Sequence, residues 1–270
     1  MKNKIWSIIL ILSLVLICVS GVKIFLLSEE YRAGIDAYKE LEQYATVEVN
    51  TEVAKAEEVT KEVVEQNDGV VVETVKSQIP VTMHLNYASL NMINEDFKGW
   101  LLYDPLSISY PIVRGDDNDY YAHHTFEKEK NNSGAIFMDF LNKTDYSDYN
   151  TIIYGHNMRN GTMFGSLKKL LSDTTIVEEN PYFYIFTEDQ AYMYEIFAVY
   201  ITRADSATYD LISSPEEQED YLSYIDKTAT WKSDKKVTGE DKVVTLSTCH
   251  GLHSNNRTVV HGVLIAQEDR

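Results

Sequence analysis

Residues 243–262 read V-V-T-L-S-T-C-H-G-L-H-S-N-N-R-T-V-V-H-G, and they include Cys249, the one cysteine beyond the first 27 residues. Two runs rich in β-branched residues, 243–246 and 258–260, predict strands on either side of a polar loop that contains turn-forming residues. Cys249 ends the first strand and Arg257 opens the second. If the loop closes a hairpin, the thiol and the guanidinium lie side by side on adjacent strands.

A third candidate residue follows an upstream strand. Residues 151–154 predict a strand that runs into Gly155, and His156 comes immediately after it. A side chain at a strand end projects from a rigid scaffold, which suits a catalytic group. A thiolate attacks a carbonyl, a cation such as Arg257 stabilises the resulting oxyanion, and an imidazole protonates the leaving amine. Cys249 and these two residues therefore predict acyl-transfer chemistry.

The N-terminus predicts a membrane anchor. Residues 5–22 are uncharged and almost wholly apolar, and the run resumes at 24–27 after Lys23. A helix of this length spans the hydrocarbon core of a bilayer, with the lysine reaching the interface. Lys2 and Lys4 precede the run, so the positive-inside bias places the N-terminus in the cytoplasm and the rest of the chain outside. The alternative is a cleaved signal peptide, but no A-x-A-like site follows the run.

Composition divides the chain into three predicted parts. Residues 1–27 form the cytoplasmic tip and transmembrane anchor, 28–80 an acidic stalk or linker, and 81–270 the catalytic domain. The stalk begins with a helical pattern and continues as a run of Val, Thr, Glu and Lys without aromatic residues, which buries little surface. A coiled-coil stalk is the alternative interpretation.

Charge and cysteine usage restrict the partners. The chain carries 42 acidic against 24 basic residues, a net charge of −18. Such a surface repels phosphate backbones, so nucleic acid is excluded as a partner. With only Cys249 outside the membrane no intrachain disulfide forms there, and a leftover thiol in an exported protein is paired with another molecule or kept for its reactivity. No cofactor is indicated.

The domain from residue 81 is predicted to be mainly β with helical insertions, as a mixed antiparallel barrel or sandwich. The predicted strands are 99–103, 112–113, 135–139, 151–154, 182–187, 191–201, 243–249 and 258–265. The predicted helices are 86–97, 119–123, 163–171 and 215–231.

Several motifs together resemble the sortases, and class B sortases most closely. The resemblance runs from about residue 86 to residue 266. T-L-S-T-C ends at Cys249 with Arg257 eight residues later, and I-I-Y-G-H-N-M with G-x-M-F-G-S-L surrounds His156. The further matches are G-W-L at 99–101, Y-P-I-V-R at 110–114, D-N-D-Y-Y at 117–121 and G-A-I-F-M-D at 134–139.

The resemblance implies an eight-stranded β-barrel with N-terminal helices and a longer helix before the cysteine strand, which 216–231 fits. It implies that Cys249 is the nucleophile, His156 the general acid and base, and Arg257 the ligand of the oxyanion or substrate backbone. Ser247 and Tyr154 are the expected substrate contacts.

The implied activity is that of a cysteine transpeptidase in a single-pass membrane protein of a Gram-positive bacterium, with the catalytic domain outside the cell. Its partners are surface proteins that carry a C-terminal sorting signal, which is cut after a threonine to form a thioacyl-enzyme. A peptidoglycan precursor or cell-wall peptide amine then accepts the acyl group. A pilin-polymerising sortase is the alternative.

Three other interpretations compete. The C-H-G-L-H segment with His261, taken to lie at a strand end, offers metal ligands, although zinc sites usually show tighter paired spacing. A papain-like peptidase places cysteine before histidine, opposite to the order here. A membrane-anchored binding module with an incidental thiol is the non-enzymatic alternative.

Overall fold

The fold is a closed β-barrel, seen in a computed structural model that describes residues 2–49, 79–251 and 254–270. Most of the predicted stalk lies outside these ranges. The strands are β1 (Ala45–Val49), β2 (Val81–Leu85), β3 (Phe97–Tyr103), β4 (Ile108–Val113), β5 (Ile136–Met138), β6 (Asn150–Tyr154), β7 (Tyr182–Phe186), β8 (Gln190–Arg203), β9 (Trp231–Lys232), β10 (Val243–Cys249) and β11 (Asn256–Asp269).

The main sheet has the order β11-β10-β6-β5-β4-β3-β7-β8-β9, and β11 pairs with β8 as well as with β10. That extra pairing closes eight strands into a barrel and leaves β9 at its edge. Most pairs are antiparallel, but β10 runs parallel to β6, and β4 runs parallel to β5. The predicted eight-stranded mixed barrel is confirmed.

The helices are α1 (Lys2–Leu41), α2 (Tyr87–Ile93), α3 (Lys169–Ser172), α4 (Thr175–Glu179) and α5 (Pro215–Thr228). Helix α5 begins with a capping box in which Ser214 accepts from the Glu217 amide and the Glu217 carboxylate accepts from the Ser214 amide. It ends before the predicted 231 because Trp231 pairs with Val199 as β9.

The other predicted helices are shorter than expected. Helix α2 ends at Ile93 rather than at 97, because Phe97 already pairs with Val113. The helix predicted over 119–123 is a 3₁₀ turn at Tyr120–Ala122. The one predicted over 163–171 is a 3₁₀ turn at Gly165–Lys168 followed by α3.

Helix α1 has two different halves. Side chains 10–27 are exposed and mostly apolar, and the helix is long and apolar enough to cross a membrane. Beyond them Tyr38 and Leu41 are buried in the core of the barrel domain. The start of the predicted stalk therefore contributes to the domain, because Tyr38 and Leu41 are three residues apart and lie on one helix face. The domain boundaries at 27 and 80 stay a prediction.

A buried polar network joins three neighbouring strands. The Thr245 hydroxyl on β10 donates to Asn150 Oδ1 on β6 at 2.7 Å and lies 2.9 Å from His261 Nδ1 on β11. Because that hydroxyl already donates to Asn150, it accepts from Nδ1, and His261 Nε2 accepts from the Tyr200 hydroxyl at 2.7 Å. His261 therefore lies within β11, fully buried, and not at a strand end as predicted.

Burial lowers the pKa of His261 to about 3, so the unfolded chain takes up its proton first as pH falls. The stability contributed by the neutral ring is complete above the unfolded pKa near 6.5 and is lost as pH falls from about 6.5 towards 3. We expect wild type to lose up to about 1.4 kcal/mol more per pH unit than His261→Gln in this window, measured by urea unfolding. Tyr200→Phe is the control, because it keeps the titrating His261 ring. It should have a lower free energy of unfolding than wild type at every pH and the same change of that free energy with pH. Equal slopes for wild type and His261→Gln would contradict the prediction.

Candidate active site

Strand pairing brings the three predicted catalytic residues together. In the β10–β11 hairpin Cys249 lies directly opposite Arg257. On the other side of β10, the parallel register sets Tyr154 opposite Ser247. His156 follows Tyr154 by two residues, just beyond the end of β6. The thiol, the imidazole and the guanidinium border the same cleft.

These residues line one cleft, called here the catalytic cleft, with a volume of about 310 Å³. Cys249 is a free, half-buried thiol at its wall. The lining residues come from four strands and three loops. They are Asn118, Ala122, Phe137, Tyr154, Gly155, His156, Ala204, Tyr209, Ser247, Thr248, Cys249 and Arg257.

The His156 ring is held by a backbone carbonyl. Its Nε2 lies 2.6 Å from the Ala122 oxygen, and since a carbonyl only accepts, Nε2 carries a hydrogen. In the neutral ring this fixes the tautomer and leaves Nδ1 as the nitrogen that exchanges a proton. The strand beneath is anchored by the Gly155 amide, which donates to the Ser247 carbonyl at 3.1 Å. An imidazole so oriented can serve as both base and acid.

The guanidinium of Arg257 is oriented by its own loop. Nη1 donates to the carbonyls of Ser254 and Asn256, both at 3.2 Å. The side chain is half-buried and borders the catalytic cleft. A guanidinium stays charged at any ordinary pH, so this residue supplies a fixed positive charge and fork-shaped donors beside the thiol.

Both predicted substrate contacts line the catalytic cleft, but their hydroxyls already have protein partners. Ser247 is buried, and its Oγ lies 2.7 Å from the Tyr209 hydroxyl. The Tyr154 hydroxyl donates to Asp139 Oδ2 at 2.9 Å. The rings of Tyr154 and Tyr209 stack with centroids 6.2 Å apart. The two tyrosines therefore present an aromatic wall to the cleft.

Tyr209 is a cleft residue that the sequence did not predict. It belongs to the 3₁₀ turn Ala207–Tyr209 in the loop between β8 and α5. Burial raises its pKa to about 12, while the nearby Arg257 charge lowers it, so the phenol is neutral and remains a hydrogen-bond donor. No local pattern in A-D-S-A-T-Y indicates that this loop folds over the cysteine strand.

Asn118 and Asp139 form a second pair without a predicted role. Asn118 Nδ2 donates to Asp139 Oδ2 at 2.9 Å, and Asn118 Oδ1 accepts from the Phe140 amide at 3.1 Å. The carboxylate thus joins Asn118 and Tyr154 at one side of the cleft. Both residues lie in motifs that carry the family resemblance, which is the signal that could have found them.

The metal interpretation loses His261, one of the candidate ligands that were set beside the C-H-G-L-H segment. Both ring nitrogens of His261 are engaged with Tyr200 and Thr245, so neither is available to a metal ion. Over residues 2–49, 79–251 and 254–270, no three His, Cys, Asp or Glu side chains are grouped to hold one. His253 lies outside the described residues.

Known proteins resemble this chain in sequence and in fold. A family model described as the sortase domain matches residues 104–265. Sortase B from Listeria monocytogenes is 40% identical over 182 residues, which cover 66% of this chain and 73% of that protein. The X-ray structure of Clostridium perfringens sortase B matches with TM-score 0.62 and 36% identity, covering 66% of this chain and 98% of that one. A Staphylococcus aureus sortase B–substrate complex matches with TM-score 0.68 and 26% identity, covering 88% of this chain and 99% of that one. The chain therefore belongs to the sortase family and is a transpeptidase of the cell-wall-anchoring type.

Proposed function

We propose that this chain cuts the C-terminal sorting signal of surface proteins after a threonine and transfers the new acyl group to a cell-wall peptide amine. The observation that carries the proposal is the meeting of Cys249, His156 and Arg257 at one cleft on adjacent strand ends. The three groups supply a nucleophile, a proton carrier and a positive charge, which are the requirements of acyl transfer.

In the first half-reaction the Cys249 thiolate attacks the carbonyl carbon of the threonine. A C–S bond forms, and the carbonyl π electrons move to the oxygen, whose negative charge faces the Arg257 guanidinium. Collapse of this intermediate breaks the C–N bond. The departing amine takes a proton from the His156 imidazolium, and a thioester remains on the enzyme.

In the second half-reaction the amine of a cell-wall peptide attacks the thioester. His156 accepts a proton from that amine, a new amide forms, and the Cys249 thiolate leaves. One amide is broken and one is made, so the reaction needs neither an oxidant nor a cofactor. The aromatic wall of Tyr154 and Tyr209, with Ser247 behind it, is the surface proposed to contact the sorting signal.

The apolar half of α1 anchors the enzyme in the cell membrane through residues 5–27, with a single pass. Lys2 and Lys4 keep the N-terminus in the cytoplasm, which places the catalytic cleft outside the cell. This location fits the substrates, because both the sorting signal and the wall peptide are found outside the bilayer when they react.

Cys249→Ala is expected to abolish cleavage and transfer, and His156→Ala to reduce turnover by at least about 10³-fold, because the two side chains act as one unit. The assay incubates the full chain in detergent micelles with a library of sorting-signal peptides and amines. Mass spectrometry of the covalent adduct then identifies the cleaved bond and the preferred acceptor, whether a wall peptide or a pilin lysine. Cys18→Ala, in the apolar half of α1, is the matched control and should keep wild-type activity. Cleavage by Cys249→Ala would refute the proposal.

Arg257→Lys is expected to lower kcat by about 10²-fold or more, because an ammonium keeps the charge and loses the fork of donors. The Michaelis constant for the peptide should change much less than kcat, since the oxyanion exists only after attack. Arg32→Lys, on the exposed side of α1, controls for the exchange itself. Near-normal turnover by Arg257→Lys would remove this side chain from the reacting centre.

A further inference from the structure

The half of α1 that follows the apolar residues docks on residues 131–134, called here the docking segment. The buried Tyr38 hydroxyl donates to the Gly134 carbonyl at 2.6 Å. About two turns towards the apolar half, Asn131 Nδ2 donates to the Glu30 carbonyl at 3.1 Å, and the Asn132 amide donates to Glu30 Oε1 at 3.0 Å. Side-chain and backbone groups of both α1 and the docking segment thus fix the position of the helix.

Helix α1 approaches the docking segment closely because Gly34, which faces it, has no side chain. A Cβ atom on Gly34 would lie 2.2 Å from Ser133 Oγ, which is shorter than any ordinary contact. The Ser133 amide is itself held by Asn131 Oδ1 at 2.8 Å. A glycine on the helix and an internally bonded loop opposite it are therefore matched in shape.

The docking segment also contacts the proposed catalytic histidine. Gly134 has a φ of +56°, and a Cβ atom there would lie 2.9 Å from His156 Cδ2 and 2.9 Å from the Ala122 oxygen. The Ala122 oxygen is the acceptor that fixes the His156 tautomer. Gly134 therefore lies between the Tyr38 hydroxyl and the imidazole, with no room for a side chain.

A second route from the same tyrosine reaches the backbone of the histidine. The Tyr38 ring meets the Tyr110 ring edge to face, with centroids 5.4 Å apart. The Tyr110 hydroxyl accepts from the Met163 amide at 3.1 Å, and the next amide, that of Phe164, donates to the His156 carbonyl at 3.0 Å. One helix residue thus supports both the ring and the main chain of His156.

We infer that Tyr38 is a positioning residue for the transpeptidase reaction, and that the anchor helix orients His156 through the docking segment. The inference rests on the proposed role of His156. Loss of the Tyr38 hydroxyl leaves the buried Gly134 carbonyl without its donor, and a loop held at positive φ then relaxes. The Ala122 carbonyl next to it moves with the loop, so the hydrogen bond that selects the Nε2–H tautomer weakens.

The test compares Tyr38→Phe with wild type, using the full chain in detergent micelles. For peptide cleavage, kcat should fall roughly five- to tenfold, which is the rate factor that corresponds to the net free energy of about one hydrogen bond. KM should stay within about twofold of wild type. Long-range ¹⁵N–¹H spectra of the imidazoles, assigned with His156→Ala, should show a smaller fraction of the Nε2–H form for His156. This spectrum is a readout that a merely structural role would not move.

Tyr44 lies in the 3₁₀ turn Glu42–Tyr44 that directly follows α1. Tyr44→Phe is the matched control, because it removes a nearby tyrosine hydroxyl and leaves the contact between Tyr38 and Gly134 intact. It should keep both the wild-type kcat and the wild-type imidazole spectrum. Asn131→Asp removes the donor to the Glu30 carbonyl but keeps the oxygen that the Ser133 amide binds. It should change kcat and the spectrum in the same direction as Tyr38→Phe, by a smaller factor.

The outcomes separate this inference from the proposed function. Cleavage by Cys249→Ala refutes the proposed function, whatever Tyr38 does. Unchanged His156 resonances in Tyr38→Phe overturn the inference about Tyr38 alone, even where the variant melts at a lower temperature. A rise in KM with kcat unchanged also overturns it, because an orienting role acts on the chemical step.

Discussion

The Thr245 hydroxyl holds the cysteine strand in register with its neighbours on both sides. It bonds Asn150 on β6 and His261 on β11, while β10 lies between those two strands. A slip of one residue would turn every side chain of β10 to the other face of the sheet. It would also break both buried bonds, and unsatisfied polar groups in a core are costly. The positions of the thiol, imidazole and guanidinium all follow from this alignment.

Two kinds of control act on the catalytic cleft. The barrel sets the spacing of the reactive groups through backbone pairing, which runs without a register shift over 243–249 with β11 and over 243–247 with β6. Orientation of the side chains depends on loops, since carbonyls of Ala122, Ser254 and Asn256 receive the imidazole and guanidinium hydrogens. Strands thus decide which groups meet, and loops decide which atoms of those groups face the substrate.

The barrel and the cysteine–arginine pair were predictable because their signals are local. β-branched runs identify strands, and a hairpin sets Cys249 beside Arg257 whatever the rest of the chain does. Tyr209 and Tyr38 were not predictable, since their contacts join segments 38 and 96 residues apart. Hydrophobic periodicity places Tyr38 on a helix face without naming the surface that covers it. The helix predicted over 119–123 was wrong for a related reason. Tyr121, in the 3₁₀ turn Tyr120–Ala122, is buried by contacts with distant segments and not because it lies on the inner face of an α-helix.

Helix α1 runs without a break from its apolar half to its docked half. If residues 5–27 cross the bilayer as proposed, the docking contacts begin at Glu30, only about 5 Å further along the helix at 1.5 Å for each residue. The enzyme then works in a thin layer just above the lipid headgroups, because the docked helix sets the distance of the domain from the bilayer. A substrate that is still held by its own membrane segment presents its cleavage site in the same layer. Encounter between the two becomes diffusion within a plane, and this geometry favours substrates that have not yet left the membrane.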